Sequence, residues 1–313
     1  VGAVNFLAGW LADTPAAATP YALAALGLII SERGGVLTLT AEGLMLIGAV
    51  AAIGCDLTFG GWPPAALLAA MLAAAVVSLL FGALVVSLRV NQVIAGLAVV
   101  FFCEGLSTLL GTLLGWQNHP VAGMLGVVIP GLTDLPVIGR AVFGQTPVTY
   151  LVVPVFLLVD LLLRRTMAGL RLRAVGENPE AADAAGVSVP LTRYAAIVGG
   201  AALIGLAGGM LSVGGVKMWF PQMAGGRGWI AIALVIFARW RPWRALAGAL
   251  LFGGIESLVP RIAATGIQAP QYFMLMAPYV VTLGVMIWTA AARPAGGTGP
   301  GALGAAFVRE ERR

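Results

Sequence analysis

Apolar runs long enough to cross a bilayer recur through this chain, separated by short stretches that carry arginine, glycine and proline. A hydrocarbon core about 30 Å thick takes about 20 helical residues to span. Backbone amides cannot stay unpaired in that medium, so such runs fold as helices. Runs near 16–30, 42–55, 65–88, 93–114, 148–163, 194–213, 228–238, 245–259 and 272–291 predict nine crossings. The seventh covers only about 16 Å, so it is either half of a broken span or one completed by residues 217–226. Residues 1–15 read as a short surface helix anchored by Trp10 or as a tenth segment, and they lack the basic start of a cleavable leader. The predicted fold is all-α: a polytopic transmembrane helical bundle of about nine to ten spans, one domain over 1–313.

Composition removes the competing classes. With 60% hydrophobic and 10% charged residues and a mean hydropathy of +0.97, the chain lies far from soluble usage. Its net charge of +5 comes from 18 basic residues, 17 of them arginine, which sit mostly at the ends of apolar runs. Membrane orientation places them there; a nucleic-acid-reading face does not. Cys55 and Cys103 fall inside apolar runs and read as small hydrophobes, and with His119 the only histidine a metal site is not expected. No Walker A loop occurs, and Lys217, the one lysine, sits in no such context. The inventory of acids, bases and nucleophiles is too sparse for an intramembrane enzyme.

Nine crossings place fourteen arginines on the side of residues 171–187 and four basic residues on the other; without the three distal tail arginines the balance is eleven to four. The arginine-rich side is the cytoplasmic one. This puts the amino terminus outside and the Gly/Pro-rich tail, 293–313, inside.

Two runs open alike after a helix-breaking stretch: Ala41-Glu42-Gly43-Leu44 and Gly226-Arg227-Gly228-Trp229. Parity sets them on opposite faces, which predicts two halves, 16–163 and 193–292, in inverted topology with discontinuous helices, a pointer to a transport path. Charged groups inside a membrane are costly and face the bundle interior or a cavity. Glu42, Asn91, Glu104, Arg227 and Trp229 are accordingly the candidate path residues. Capping or ion pairing explains Glu42 and Arg227 equally well, helix capping explains Asn91, and packing or the interface belt explains Trp229. Glu256 reads as an interfacial partner of Arg261, and Trp240 and Trp243 as interfacial anchors.

Residues 171–187 form a polar island. Asn178 suits an N-cap, Pro179 the first helical position and Gly186 a left-handed stop, giving a helix of about seven residues. Its outward groups are predicted to be Glu180, Ala181, Ala182, Asp183 and Ala185, a surface shaped for another protein's groove.

Glu180-Ala181-Ala182 with Gly186 resembles the EAA signature of ABC importer permeases, a cytoplasmic coupling helix that docks on an ATPase; the family's later Ile-x-Leu-Pro has no clean counterpart. Four further blocks resemble the branched-chain amino acid and simple-sugar importer superfamily. These are Ser31-Glu32-Arg33-Gly34-Gly35 through Glu42–Ala49; Arg89–Ala98; Leu170–Pro179; and Gly226–Ala233 with Phe237–Pro242, the last resembling the nucleoside subgroup. The resemblance implies a permease subunit of an ATP-driven importer in the bacterial inner membrane. Its solute is a nucleoside or related small polar molecule, with simple sugars or branched-chain amino acids as the alternative. It implies two ATPase subunits that bind ATP and Mg, a second, different permease, and an extracytoplasmic binding protein of the basic membrane lipoprotein type, with no cofactor in this chain. The binding protein would deliver solute near 115–147 and 217–227. Gly176, Glu177, Asn178, Pro179, Glu180, Ala181, Ala182, Asp183 and Gly186 would contact the ATPase. A proton-coupled secondary transporter using Glu42 or Glu104 is the reading from another class.

Overall fold

The computed structural model describes residues 2–127, 130, 131, 133, 139–264, 276, 280, 283, 284, 287 and 299–307. Its helices are α1 (Gly2–Arg33), α2 (Ala41–Thr58), α3 (Pro63–Gly82), α4 (Gln92–Leu113), α5 (Gly139–Phe143), α6 (Pro147–Arg165), α7 (Met167–Glu177), α8 (Pro179–Ala184), α9 (Val189–Gly209), α10 (Arg227–Ala238) and α11 (Pro242–Ala264). Wide π-type turns extend α3 through Ala83–Ser87 and α9 through Met210–Val216. Among the described residues seven segments are long and apolar enough to cross a membrane: Asn5–Arg33, Ala41–Thr58, Pro63–Ser87, Gln92–Leu113, Pro147–Arg165, Val189–Val216 and Pro242–Ala264. The short helix Arg227–Ala238 is the seventh predicted run, in its half-span form. The ninth, 272–291, lies outside the described residues apart from isolated positions.

The first fifteen residues are not a separate segment. Helix α1 continues through Pro15 and Pro20, where a soluble helix would break. Neighbouring packing holds the line: Trp10 Nε1 donates to Gly254 O at 2.6 Å, and Asp13 pairs with Arg261 at 2.6 Å, both on α11. Trp10 is thus a helix–helix contact rather than a surface anchor. Small residues let the central helices touch backbone to backbone: a Cβ at Gly48 of α2 would collide with the Gly205 carbonyl of α9.

Helix α4, 22 residues and about 33 Å long, shows how two non-helical stretches enter the bundle. Residues 36–40 run beside its first half. Leu37 N donates to Gln92 Oε1 at 2.6 Å, Leu39 packs on Gly96, and Gly43 meets Val100 and Cys103. Residues 217–226 run beside its second half from the other end, with the Trp219 ring on Gly111 and Gln222 bonded to Glu104. The two stretches meet near the middle of α4, where α2 and α10 both begin.

Candidate functional site

The meeting point is built on Glu42, the second residue of α2. Its Oε1 accepts from Gly226 N at 2.8 Å and its Oε2 from Gly228 N at 2.7 Å. These amides open α10, so one carboxylate satisfies donors that a helix start leaves orphaned, and its charge opposes the positive ends of two helices at once. Gly226 adopts φ +84, and a Cβ at Gly228 would strike the Glu42 backbone; both positions therefore call for glycine. Of the two readings of Glu42, the structure supplies helix capping, applied to a helix from the far half of the chain.

Arg227 turns the other way. Its guanidinium pairs with Glu256 of α11 and donates to the carbonyls of Met223 and Ala224 at 3.3 and 3.2 Å. The expected Glu256–Arg261 pair does not form: Arg261 is taken by Asp13. Glu104 accepts from Gln222 Nε2, a partner the sequence did not reveal. Trp229, one residue past Gly228, is 39% exposed. Asn91 stays apart from the junction; it caps α4, accepting from Val93 N and Ile94 N at 3.0 and 3.2 Å. The predicted path set therefore divides into a Glu42–Gly226–Gly228 junction flanked by Arg227 and Trp229, a Glu104–Gln222 pair, and a remote Asn91.

At its far end α10 is clasped to the end of α1. Trp240 Nε1 donates to buried Glu32 Oε2 at 2.5 Å, and Arg33 donates through Nε and Nη2 to the Trp240 carbonyl at 3.3 and 3.1 Å. Trp240 thereby fastens α10 to α1, a contact the sequence did not reveal. Trp243 remains half-exposed, its Nε1 3.3 Å from Asp160 Oδ2.

The polar island folds as its residues direct. Thr166 caps α7, accepting from Gly169 N at 3.1 Å. Asn178 Oδ1 accepts from Ala181 N at 2.9 Å, Pro179 opens α8, and Gly186 closes it at φ +84. Helix α8 spans six residues. Glu177, Asn178, Glu180, Ala181 and Gly186 are exposed, with Pro179 and Asp183 half-buried. Two predicted surface positions are corrected. Ala182 is buried against Val175 and Val189, and Gly176 is buried where a Cβ would strike the Arg33 carbonyl.

A strap missed in the sequence crosses this end of the molecule. Residues 299–307, part of the predicted tail, are docked rather than free. Gly301 N donates to Glu177 Oε2 at 3.1 Å, Ala302 N to Gly176 O at 2.9 Å and Gly304 N to Gly35 O at 3.2 Å. Arg193 Nη1 and Gln92 Nε2 donate to Ala305 O at 3.0 and 3.5 Å. Phe307 packs on the cluster of Val175, Ala182 and Val189.

The family model described as "Branched-chain amino acid transport system / permease component" matches residues 11–289. The chain belongs to this permease family. Among its relatives, a putative glucose ABC transporter permease protein of Haloferax volcanii is 38% identical over 297 residues, 89% of this chain and 88% of the relative. A guanosine ABC transporter permease protein of Bacillus subtilis is 34% identical over 277 residues, 85% and 87% of the two chains. A nucleoside ABC transporter permease protein of Lactococcus lactis is 32% identical over 297 residues, 90% and 92%. The permease is thus a multi-pass membrane transport subunit of the ABC class, not an enzyme, and such a subunit works with an ATPase and a substrate-binding component.

Proposed function

We propose that this permease is the membrane-spanning subunit of a bacterial inner-membrane importer for nucleosides or related small polar solutes. The two nucleoside-type relatives and the Gly226–Ala233 block favour that solute class. The glucose-type relative supports simple sugars as the second reading, and the two share a polyhydroxylated ring. The arginine balance favours a cytoplasmic position for α8 and for the 299–307 strap. There α8 docks on one of two ATPase subunits, which bind ATP and Mg, while a second, different permease completes the pore. A binding protein delivers solute to the opposite face, near 115–147 and 217–227.

The observation that carries this reading is a continuous line of contacts from the polar island to the middle of the bundle. Gly176, three residues before α8, packs on Arg33; Arg33 holds the carbonyl of Trp240 at the end of α10; and the start of α10 rests on Glu42. A shift of α8 therefore has a direct route to the place where two broken segments meet. Two inverted halves rocking about that place would open a path past Glu42, Glu104, Arg227 and Trp229; the capping geometry of Asn91 leaves it at the rim. The test is uptake by the full complex in vesicles, with labelled guanosine, ribose, glucose and leucine compared with and without ATP. ATP-dependent guanosine uptake supports the reading. Uptake driven by a proton gradient without ATP would overturn it.

A further inference from the structure

A cavity of about 330 Å³ lies at the arginine-rich end, between the last turn of α6, helix α7 and the junction of α10 with α11, lined by Arg33, Arg164, Arg173 and Arg241 with Asp160 as the one acid. Arg164 and Asp160 pair at 2.8 Å, and the remaining Asp160 oxygen faces Trp243 Nε1. Among the described residues, that leaves the other three guanidinium groups without a carboxylate inside the cavity. Arg33 and Arg173 donate to the Trp240 and Gly169 carbonyls, dipoles that orient a cation without neutralising it. Arg164, Arg173 and Arg241 all act electrostatically on Arg33, opposed by Glu177 outside the cavity. Like charges gathered this way repel, and an anion among them would turn that cost into attraction. Guanidinium forks match phosphate oxygens two at a time.

The surroundings say where the anion comes from. Below the cavity α6 exposes Leu157, Leu158 and Leu161, Trp243 is 41% exposed beside them, and α7 exposes Met167 and Leu170. An apolar, tryptophan-edged surface running up to a basic cavity at a helix end suits acyl chains below and a headgroup above. We infer that this cavity binds the phosphate of an anionic membrane phospholipid. Free phosphate shares that chemistry but makes no use of the apolar approach.

The test uses the full chain in phosphatidylcholine nanodiscs titrated with phosphatidylglycerol, with retained lipid read by native mass spectrometry. Wild-type protein is expected to keep phosphatidylglycerol selectively, and the pair R173Q/R241Q to lose roughly tenfold in apparent affinity. R173K/R241K, which keeps charge without the fork, should fall between. R171Q, an exposed α7 arginine that does not line the cavity, should match wild type. Helix content by circular dichroism confirms that each variant is folded. Inorganic phosphate or glycerol 1-phosphate displacing the lipid at millimolar concentration would assign the cavity to free phosphate and overturn the lipid assignment. Equal retention of both lipids, unchanged in R173Q/R241Q, would overturn the phosphate site altogether.

Discussion

Glu42 and Gly228 stand 186 positions apart in sequence, yet the carboxylate of one accepts the backbone amide of the other at 2.7 Å. The contact joins the starts of α2 and α10, each entered by a non-helical stretch from an opposite end of α4. A single side chain thus carries both the charge balance and the alignment of the two broken segments.

Replacing Glu42 by Gln keeps the shape but removes the charge and turns an amide NH₂ toward one backbone donor. Orphaning that donor costs about 1–3 kcal/mol. E42Q should unfold several degrees lower in a thermal melt, and solute uptake by the complex should fall at least about tenfold.

A methyl group at Gly228 has backbone on its blocked side and nowhere to go. G228A should destabilise by about 1–3 kcal/mol and abolish uptake. Gly199, helical and with open space around its missing Cβ, supplies the control: G199A should leave both melt and uptake at wild-type values or slightly higher.

Removing the cap of α8 in N178A should cost about 1 kcal/mol, and G186A should cost a similar amount at its left-handed φ. The stability change is small, so the informative readout is coupling. ATPase activity of the assembled complex should persist while uptake drops in both variants and in E180R. Wild-type uptake per ATP in all three would remove α8 from the coupling role.

The Arg227–Glu256 pair is about a quarter to a third exposed, with side-chain exposures of 27% and 31%. Breaking it from one side leaves a lone charge in an apolar setting, for about 1–3 kcal/mol after allowing for that exposure. R227M should therefore lower the melting temperature, and R227M/E256M should recover part of the loss. A double variant no better than the single one would show that the pair is not the source.

Ending the chain after Thr298 removes every strap contact to Gly35, Gln92, Gly176, Glu177 and Arg193. The truncated protein should insert and fold, because none of its crossing segments is touched. Stimulation of the ATPase by solute should nonetheless be lost, and limited proteolysis should cut faster near residues 177–187.

What the sequence made legible follows from range. Hydropathy over about 20 residues located the spans, and Asn178, Pro179 and Gly186 set the ends of α8 through bonds to residues within a few positions. The partners of Glu42, Glu104 and Trp240 lie 118 to 208 positions away, and no local pattern encodes them. Glu256 and Arg261 looked paired because they are near in sequence. Five positions at 3.6 residues per turn put them on different faces of α11, which sends one to Arg227 and the other to Asp13. The division after residue 15 failed for the opposite reason: α1 runs on through Pro15 and Pro20, because packing on α11 overrides the local tendency of proline to break a helix. Ala182 looked outward because a two-turn helix has too few residues for an apolar period to show.

The strap has a temporal side. Residues 299–307 leave the ribosome after every other described element, so Gly35, Gly176 and Arg193 await those partners until all the described helices have been made. An unfinished chain can lodge its helices in the bilayer while the platform under α8 still lacks one edge. The order of synthesis thereby becomes an order of assembly, with the helices laid down first and the edge that binds Gly35, Gly176 and Arg193 closed only after them.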